Sequence, residues 1–433
     1  MALSLRLPRP PTLAQAFSPK ANSIGVLRLT LATALLVAHS WPVGFGEDNL
    51  GARKTGYQTD VGALALYGFF VVSGFLITGS GLRFSLPRFA WHRFLRIFPG
   101  LWVCLLLTAL ALAPAIAYYE RGTLVGFWNN DQSPISYLIN DWWTAQRQFG
   151  ISHLLEHTPY GQATKASSVF NGSLWSLVYE LCCYILVGTL AATGVLRRAP
   201  RAALALTAAA YLLIVADAAN FNRSYLHFNP LSHGTLGPFP LLGELNVNFL
   251  VYLTFIFLLG ACAQLFKERV PMHPALAAAA ALVFVASLKW GGFFVLGVPA
   301  YAYVLLWLAC ALPRWLQGIG RKRDYSYGIY VYAFPVQQTV ALLGGNRWGI
   351  AAYIGLSLAG TLALAVPSWH LVEHRAMALK DWTPAWPARV ARMAGSASRA
   401  VVAGLPAPRQ PADQLTEVNS GDGSAVATVA DAR

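Results

Sequence analysis

Ten apolar runs constrain this chain more than any other feature. They lie at roughly 27–43, 61–82, 97–118, 172–194, 202–219, 247–266, 274–289, 293–312, 325–344 and 348–371, most close to 20 residues long and almost free of charge. A helix of about 20 residues is about 30 Å long, the thickness of a bilayer's hydrocarbon core. Only 12% of the 433 residues are charged, about half the share of a soluble domain. That excludes a disordered protein, a coiled coil and an ordinary cytosolic enzyme. The five cysteines, Cys104, Cys182, Cys183, Cys262 and Cys310, all fall within apolar runs and lack CxxC spacing. They read as small hydrophobes, not as a disulfide scaffold or zinc site. The expected fold class is all-α, a polytopic membrane bundle of about ten transmembrane helices.

Charge patterning gives the expected orientation. The formal net charge is +14, which in a soluble protein suggests nucleic acid; in a membrane protein it reflects Lys and Arg collecting on the cytoplasmic side, so no nucleic-acid partner is expected. Segments 1–28, 83–96, 195–201, 267–273, 313–324 and 372–433 hold 24 of the 32 Lys and Arg residues. Both termini are therefore expected to be cytoplasmic. The predicted organisation is a transmembrane domain over 1–380 with external loops at about 119–171 and 220–246, then a disordered cytoplasmic tail over 381–433 rich in Pro, Ala, Gly and Ser.

Titratable groups inside spans are costly and become functional candidates. Arg28 and His39 share the first span. Eleven residues turn a helix by about 1100°, so both side chains share one face, about 16 Å apart along the axis. Glu180 lies nine residues into the fourth span, about 13 Å deep, a depth similar to that of His39. A carboxylate and an imidazole at one depth suit a base and its orienter. A core histidine bonded to backbone, and a glutamate serving a structural arginine, are the bland alternatives. Arg88, Arg93 and Arg96 follow the second span on the Arg28 side, where guanidinium forks bind phosphates bidentately or contact lipid headgroups. Ser73 sits among Gly68, Gly74 and Gly79, small residues suited to close helix packing. Pro335 should kink the ninth span and free a carbonyl. Gln337 then either lines a cavity or bonds a neighbouring helix.

Four stretches together resemble the acyltransferase-3 family of membrane acyltransferases, which includes polysaccharide O-acetyltransferases. They are Arg28-x10-His39; Phe70-x-x-Ser73-Gly74-Phe75 followed by Arg93-x-x-Arg96-Ile-Phe-Pro; Asn171-Gly-Ser-Leu-Trp-Ser-Leu-x-x-Glu180; and Ser326-Tyr-Gly-Ile-Tyr-Val-Tyr-Ala-Phe-Pro335. The resemblance covers residues 22–376. It implies transfer of an acyl group, often acetyl, from cytoplasmic acyl-CoA to a hydroxyl of a cell-surface or lipid-linked glycan. It implies functional roles for Arg28, His39, Arg93, Arg96 and Glu180. The chain departs from the pattern at Ala333, where many members carry His, and at Val372-Glu373-His374-Arg375, where the usual proline is missing.

The expectation is a multi-pass enzyme of the bacterial inner membrane. Arg28, Arg88, Arg93 and Arg96 would hold the CoA phosphates. His39 would act as general base or transient acyl carrier, with Glu180 fixing its tautomer. Ser73, Asn171, Trp175, Tyr330 and Gln337 are candidates for lining the site. Acyl-CoA would be a donor substrate, with no permanently bound cofactor and no metal; a glycan or lipid-linked sugar acceptor and membrane lipids would be the partners. A transporter or flippase using His39 and Glu180 as a proton relay is the alternative; it gives the arginines no clear role.

Overall fold

The computed structural model describes residues 10–221, 234–321 and 323–382. The tail over 383–433 and residues 222–233 of the second external loop lie outside the described residues. The helices fall within one unit, Met1–Asp381.

Each of the ten apolar runs is a helix. They are α1 (Ile24–Phe45), α2 (Val61–Arg83), α3 (Leu86–Arg121), α4 (Leu174–Ala192), α5 (Arg201–Phe221), α6 (Val247–Leu265), α7 (Pro274–Trp290), α8 (Phe293–Ala311), α9 (Ser326–Leu342) and α10 (Ile350–Ser368). Eight are long and apolar enough to cross a membrane; α7 and α9, at 17 residues each, are shorter. Leu110, Leu212 and Leu282, at 46%, 64% and 71% exposure, turn outward. Water would penalise such a belt, and lipid accepts it. These observations support a helical membrane bundle.

Two boundaries differ from expectation. The segment 83–96, read as a loop, is helical from Leu86: Ser85 is extended, and Pro87 suits the first turn. This makes α3 36 residues long, about 54 Å. It exceeds the thickness of a hydrocarbon core. The segment expected as the second external loop is partly a hairpin, β1 (Thr235–Phe239) pairing antiparallel with β2 (Gly243–Asn246).

Helix packing uses the small residues in the way the second span suggests. A Cβ on Gly74 would stand 1.9 Å from the Phe257 carbonyl oxygen, and one on Gly260 would stand 2.0 Å from that of Val71. Glycine at both points lets the backbones of α2 and α6 touch. One buried cluster joins α1, α3 and α9 through Leu36, Leu101, Leu105 and Val331. Another joins α2, α6 and α8 through Val71, Phe75, Phe257 and Leu305. A cavity walled by Leu35 and Tyr330 from the first cluster and by Tyr252 and Leu253 from the second lies on the seam between them.

Pro335 does not break α9, which runs continuously from Ser326 to Leu342. The proline still removes one donor, leaving the Val331 carbonyl, four residues earlier, without its helical partner. Asn171 Nδ2 donates to that oxygen at 2.8 Å, and Cys104 Sγ approaches it at 3.2 Å. Side chains from α3 and from the segment just before α4 thus satisfy the freed carbonyl.

Candidate active site

Helix α1 places His39 at a cavity of about 330 Å³, whose wall includes Asp60, Ser173, Trp175, Ser176 and Tyr330. The ring meets Phe334 edge-on at 5.6 Å between centroids. His39 Nδ1 is buried and has no hydrogen-bond partner among the described residues. The carboxylate facing this cavity is that of Asp60, which also caps α2. Its Oδ1 accepts the Ala63 N–H at 2.9 Å and its Oδ2 accepts Asn49 Nδ2 at 3.1 Å. The space beside Gly62 fixes how near it lies to α1: a Cβ there would be 3.1 Å from Asp60 Oδ1 and 3.4 Å from the Cβ of Ala38. Sequence reasoning missed Asp60. The available signal was an acidic residue immediately before an apolar run, where an N-cap belongs.

Glu180 occupies a second, narrower cavity of about 50 Å³, together with Arg28, Ser73, Ser326, Tyr327 and Tyr330. Ser73 Oγ donates to Glu180 Oε1 at 3.0 Å, and the Tyr184 hydroxyl donates to the same oxygen at 2.5 Å. The expected His39–Glu180 hydrogen bond is therefore corrected: the two line different cavities. Depth along a helix gives height but not direction, and Tyr184, one turn along α4, claims the carboxylate on its own face. The cavities share Leu66, Ser176 and Tyr330 as a common wall. The Tyr330 hydroxyl donates to the Ser173 carbonyl and lies 2.8 Å from Ser176 Oγ, so Tyr330 stands as the partition. Arg28 and His39 line the cavities on either side of it.

The four arginines differ in their surroundings. Arg28 and Arg96 both donate to Asp324 Oδ2, at 2.6 and 2.7 Å, with side chains 23% and 14% exposed. Asp324 Oδ1 accepts the Ser326 hydroxyl at 2.5 Å. Burial pushes the Asp324 carboxyl up, but the two guanidinium groups prevail and hold it at about 2. Arg88 pairs with Asp381 at 2.6 Å in a setting 41% and 65% exposed. The guanidinium of Arg93 lies 5.8 Å over the Tyr184 ring, and its Nε is buried without a hydrogen-bond partner. Three of the four arginines expected to hold the CoA phosphates are thus ion-paired. The compensating Asp324 is 228 and 296 positions away from its partners, beyond any local pattern.

The remaining candidates divide. Ser73 and Tyr330 line the cavities, and Trp175 lines the His39 cavity and packs on Phe249 at 4.5 Å. Asn171 and Gln337 do not line either cavity. Asn171 is fully buried and serves the Val331 carbonyl. Gln337 Nε2 donates to the Leu36 carbonyl at 2.8 Å and to Ser40 Oγ at 3.0 Å, which is interhelical bonding.

This arrangement offers an imidazole and a carboxylate on one cavity, an adjoining narrow cavity, and a partition of hydroxyls. An imidazole beside a carboxylate can move a proton. The chain is 29% identical over 380 residues to "Nodulation protein 10" of Rhizobium leguminosarum bv. viciae, covering 83% of this chain and 94% of that protein. It is 28% identical over 362 residues to "O-acetyl transferase" of Shigella phage Sf6, covering 82% and 96%. No solved structure matches the chain. The acyltransferase domain family matches residues 22–370, and the chain belongs to this family, acyltransferase-3, of membrane acyltransferases.

Proposed function

We propose that the protein moves an acyl group, acetyl in the simplest case, from cytoplasmic acyl-CoA to a hydroxyl of a cell-surface or lipid-linked glycan. It would act in a bacterial inner membrane with ten spans and both termini in the cytoplasm. The observation that carries this reading is the pair of adjoining cavities on one interior. The Glu180 cavity sits beside the arginines and is narrow enough for a pantetheine arm. The His39 cavity is wide enough to admit part of an acceptor. The thioester would arrive past Tyr330. His39 takes the proton from the acceptor hydroxyl as its oxygen attacks the thioester carbonyl. The C–S bond then breaks, and the CoA thiolate leaves with the proton from the imidazolium. Asp60, on the same cavity, stabilises that imidazolium; Glu180, bonded to Ser73 and Tyr184, offsets the charge of Arg28 and Arg93 along the donor path. Arg93 and unused N–H groups of Arg28 and Arg96 remain to meet phosphate.

The test uses purified protein in nanodiscs with labelled acetyl-CoA and membrane glycans. Thioester consumption with label appearing in glycan is expected, and His39→Gln should lower it at least about 100-fold, the scale of general-base contributions, with the unfolding temperature retained. Near-normal turnover by His39→Gln would remove the base assignment. Movement of glycan without thioester consumption would favour the transporter.

A further inference from the structure

Three of the four arginines named for phosphate binding are already ion-paired, which raises the question of where the nucleotide end of the donor docks. A separate cleft answers it. It has a volume of about 440 Å³ and lies between the end of α2, the start of α3 and the end of α4, lined by Gly81, Arg83, Phe84, Phe89, Gly188 and Arg197. Among the described residues no carboxylate pairs with Arg83 or Arg197. Each is anchored by a single hydrogen bond to backbone. Arg83 Nε donates to the Gly79 carbonyl at 3.2 Å, and Arg197 Nη2 donates to that of Leu82 at 2.6 Å. Among the described residues their other guanidinium N–H groups have no hydrogen-bond partner. The Phe84 ring is already covered by Arg83 and Arg88, whose guanidinium carbons lie 5.9 and 5.0 Å from its centroid, so the cleft offers phosphate recognition more than base stacking. Glycine keeps its floor open: a Cβ on Gly188 would stand 3.3 Å from Leu86 and 3.4 Å from Phe89.

The cleft also lies in line with the cavities. Ser73 on α2 bonds Glu180 on α4, and about two turns farther Gly81 lies against α4, where a Cβ would stand 3.0 Å from the Val187 side chain. Gly188 is about 12 Å along α4 from Glu180, and Gly81 is about 12 Å along α2 from Ser73. The α2–α4 contact therefore runs from the Glu180 cavity to the cleft.

We infer that the Arg83–Arg197 cleft binds the 3′-phosphate of the donor's adenosine end, leaving the 5′-diphosphate to Arg93 and its neighbours and directing the pantetheine arm along the α2–α4 contact toward His39. The inference rests on acyl-CoA being the donor. Lipid headgroups offer the same phosphate chemistry, and the experiment separates the two. Full-length protein in zwitterionic nanodiscs is titrated with labelled acetyl-CoA and competed with CoA, 3′-dephospho-CoA and pantetheine. The Arg83→Gln/Arg197→Gln variant is expected to weaken acetyl-CoA binding at least about tenfold, since a single charge-assisted phosphate bond is worth about tenfold or more. It should also abolish the preference for CoA over 3′-dephospho-CoA, leave competition by pantetheine unchanged, and be partly rescued by lysine at both positions. Unchanged affinity and preference would overturn the inference, as would equal weakening of pantetheine. An effect confined to anionic nanodiscs would assign the cleft to lipid. Wild-type protein that binds no acetyl-CoA would instead refute the donor reading, and the inference would fall with it.

Discussion

Replacing Asp324 with asparagine keeps the shape of the side chain and removes the charge that Arg28 and Arg96 share. Asp324 is only 16% exposed in its ion pairs, so solvent screening is weak. Its carboxyl is held at about 2 against an ordinary 3.8; at about 1.4 kcal/mol per unit this corresponds to about 2.5 kcal/mol of stability at neutral pH. Breaking a buried pair from one side costs about 3–5 kcal/mol, so about 2–3 kcal/mol is the expected loss for Asp324→Asn, where an acceptor remains, and more for Asp324→Ala. The sign follows from the depressed pKa. The stabilisation is complete above pH about 4 and disappears as pH falls through about 2. Reversible unfolding in mixed micelles of rising SDS content, followed by thiol labelling of buried Cys104 and Cys183, measures the difference between wild type and variant. The gap should be widest at pH 7 and should close toward pH 2. A gap below about 0.5 kcal/mol at pH 7, or one that does not change between pH 7 and pH 3, would show that the shared ion pair is not what holds α1, α3 and the start of α9 together.

Three further outcomes follow from the geometry. Asn171→Ala should cost about 1–3 kcal/mol by leaving the Val331 carbonyl with a poorer partner, and Pro335→Ala in that background should recover part of the loss in the same unfolding assay. Asp60→Asn should lower acyl transfer at least about tenfold while acetyl-CoA affinity is retained, because its charge faces the cavity of His39 and not the donor path; unchanged turnover with loss of stability would reduce Asp60 to a helix cap. Burial raises the Asp141 carboxyl, in the loop between α3 and α4, to about 7 despite the N–H groups of Arg147 and Gln148 on its Oδ1. Wild type should therefore lose stability relative to Asp141→Asn as pH rises through about 7, read from unfolding temperatures between pH 5 and 9.

Much of the site was legible along the chain because helical period and hydrophobicity are local. Arg28 and His39 recur at eleven residues, and each lines a cavity that has Tyr330 in its wall. Ser73 and Glu180 stood out as polar groups in apolar surroundings and prove to be bonded to each other. The partners were harder. Asn171 read as a site residue because it opens the Asn171-Gly-Ser-Leu-Trp run, yet it serves a carbonyl that Pro335 frees on another helix. Asp60 went unnoticed because an acid at the edge of an apolar run reads as a loop residue until α1 is laid beside it.

Taken alone, the amino-acid order determines that the chain forms apolar helices, which of their faces carry charge, and which family motifs they bear. Each of these depends on residues within a few turns of one another. Only the tertiary structure decides which acid answers which base. Asp324 rather than Glu180 takes Arg28 and Arg96, and Asp60 rather than Glu180 shares the cavity of His39. That choice depends on how far each helix is rotated about its axis and how far it slides past its neighbours. Packing between residues hundreds of positions apart sets both, and no repeat along one strand of sequence records it.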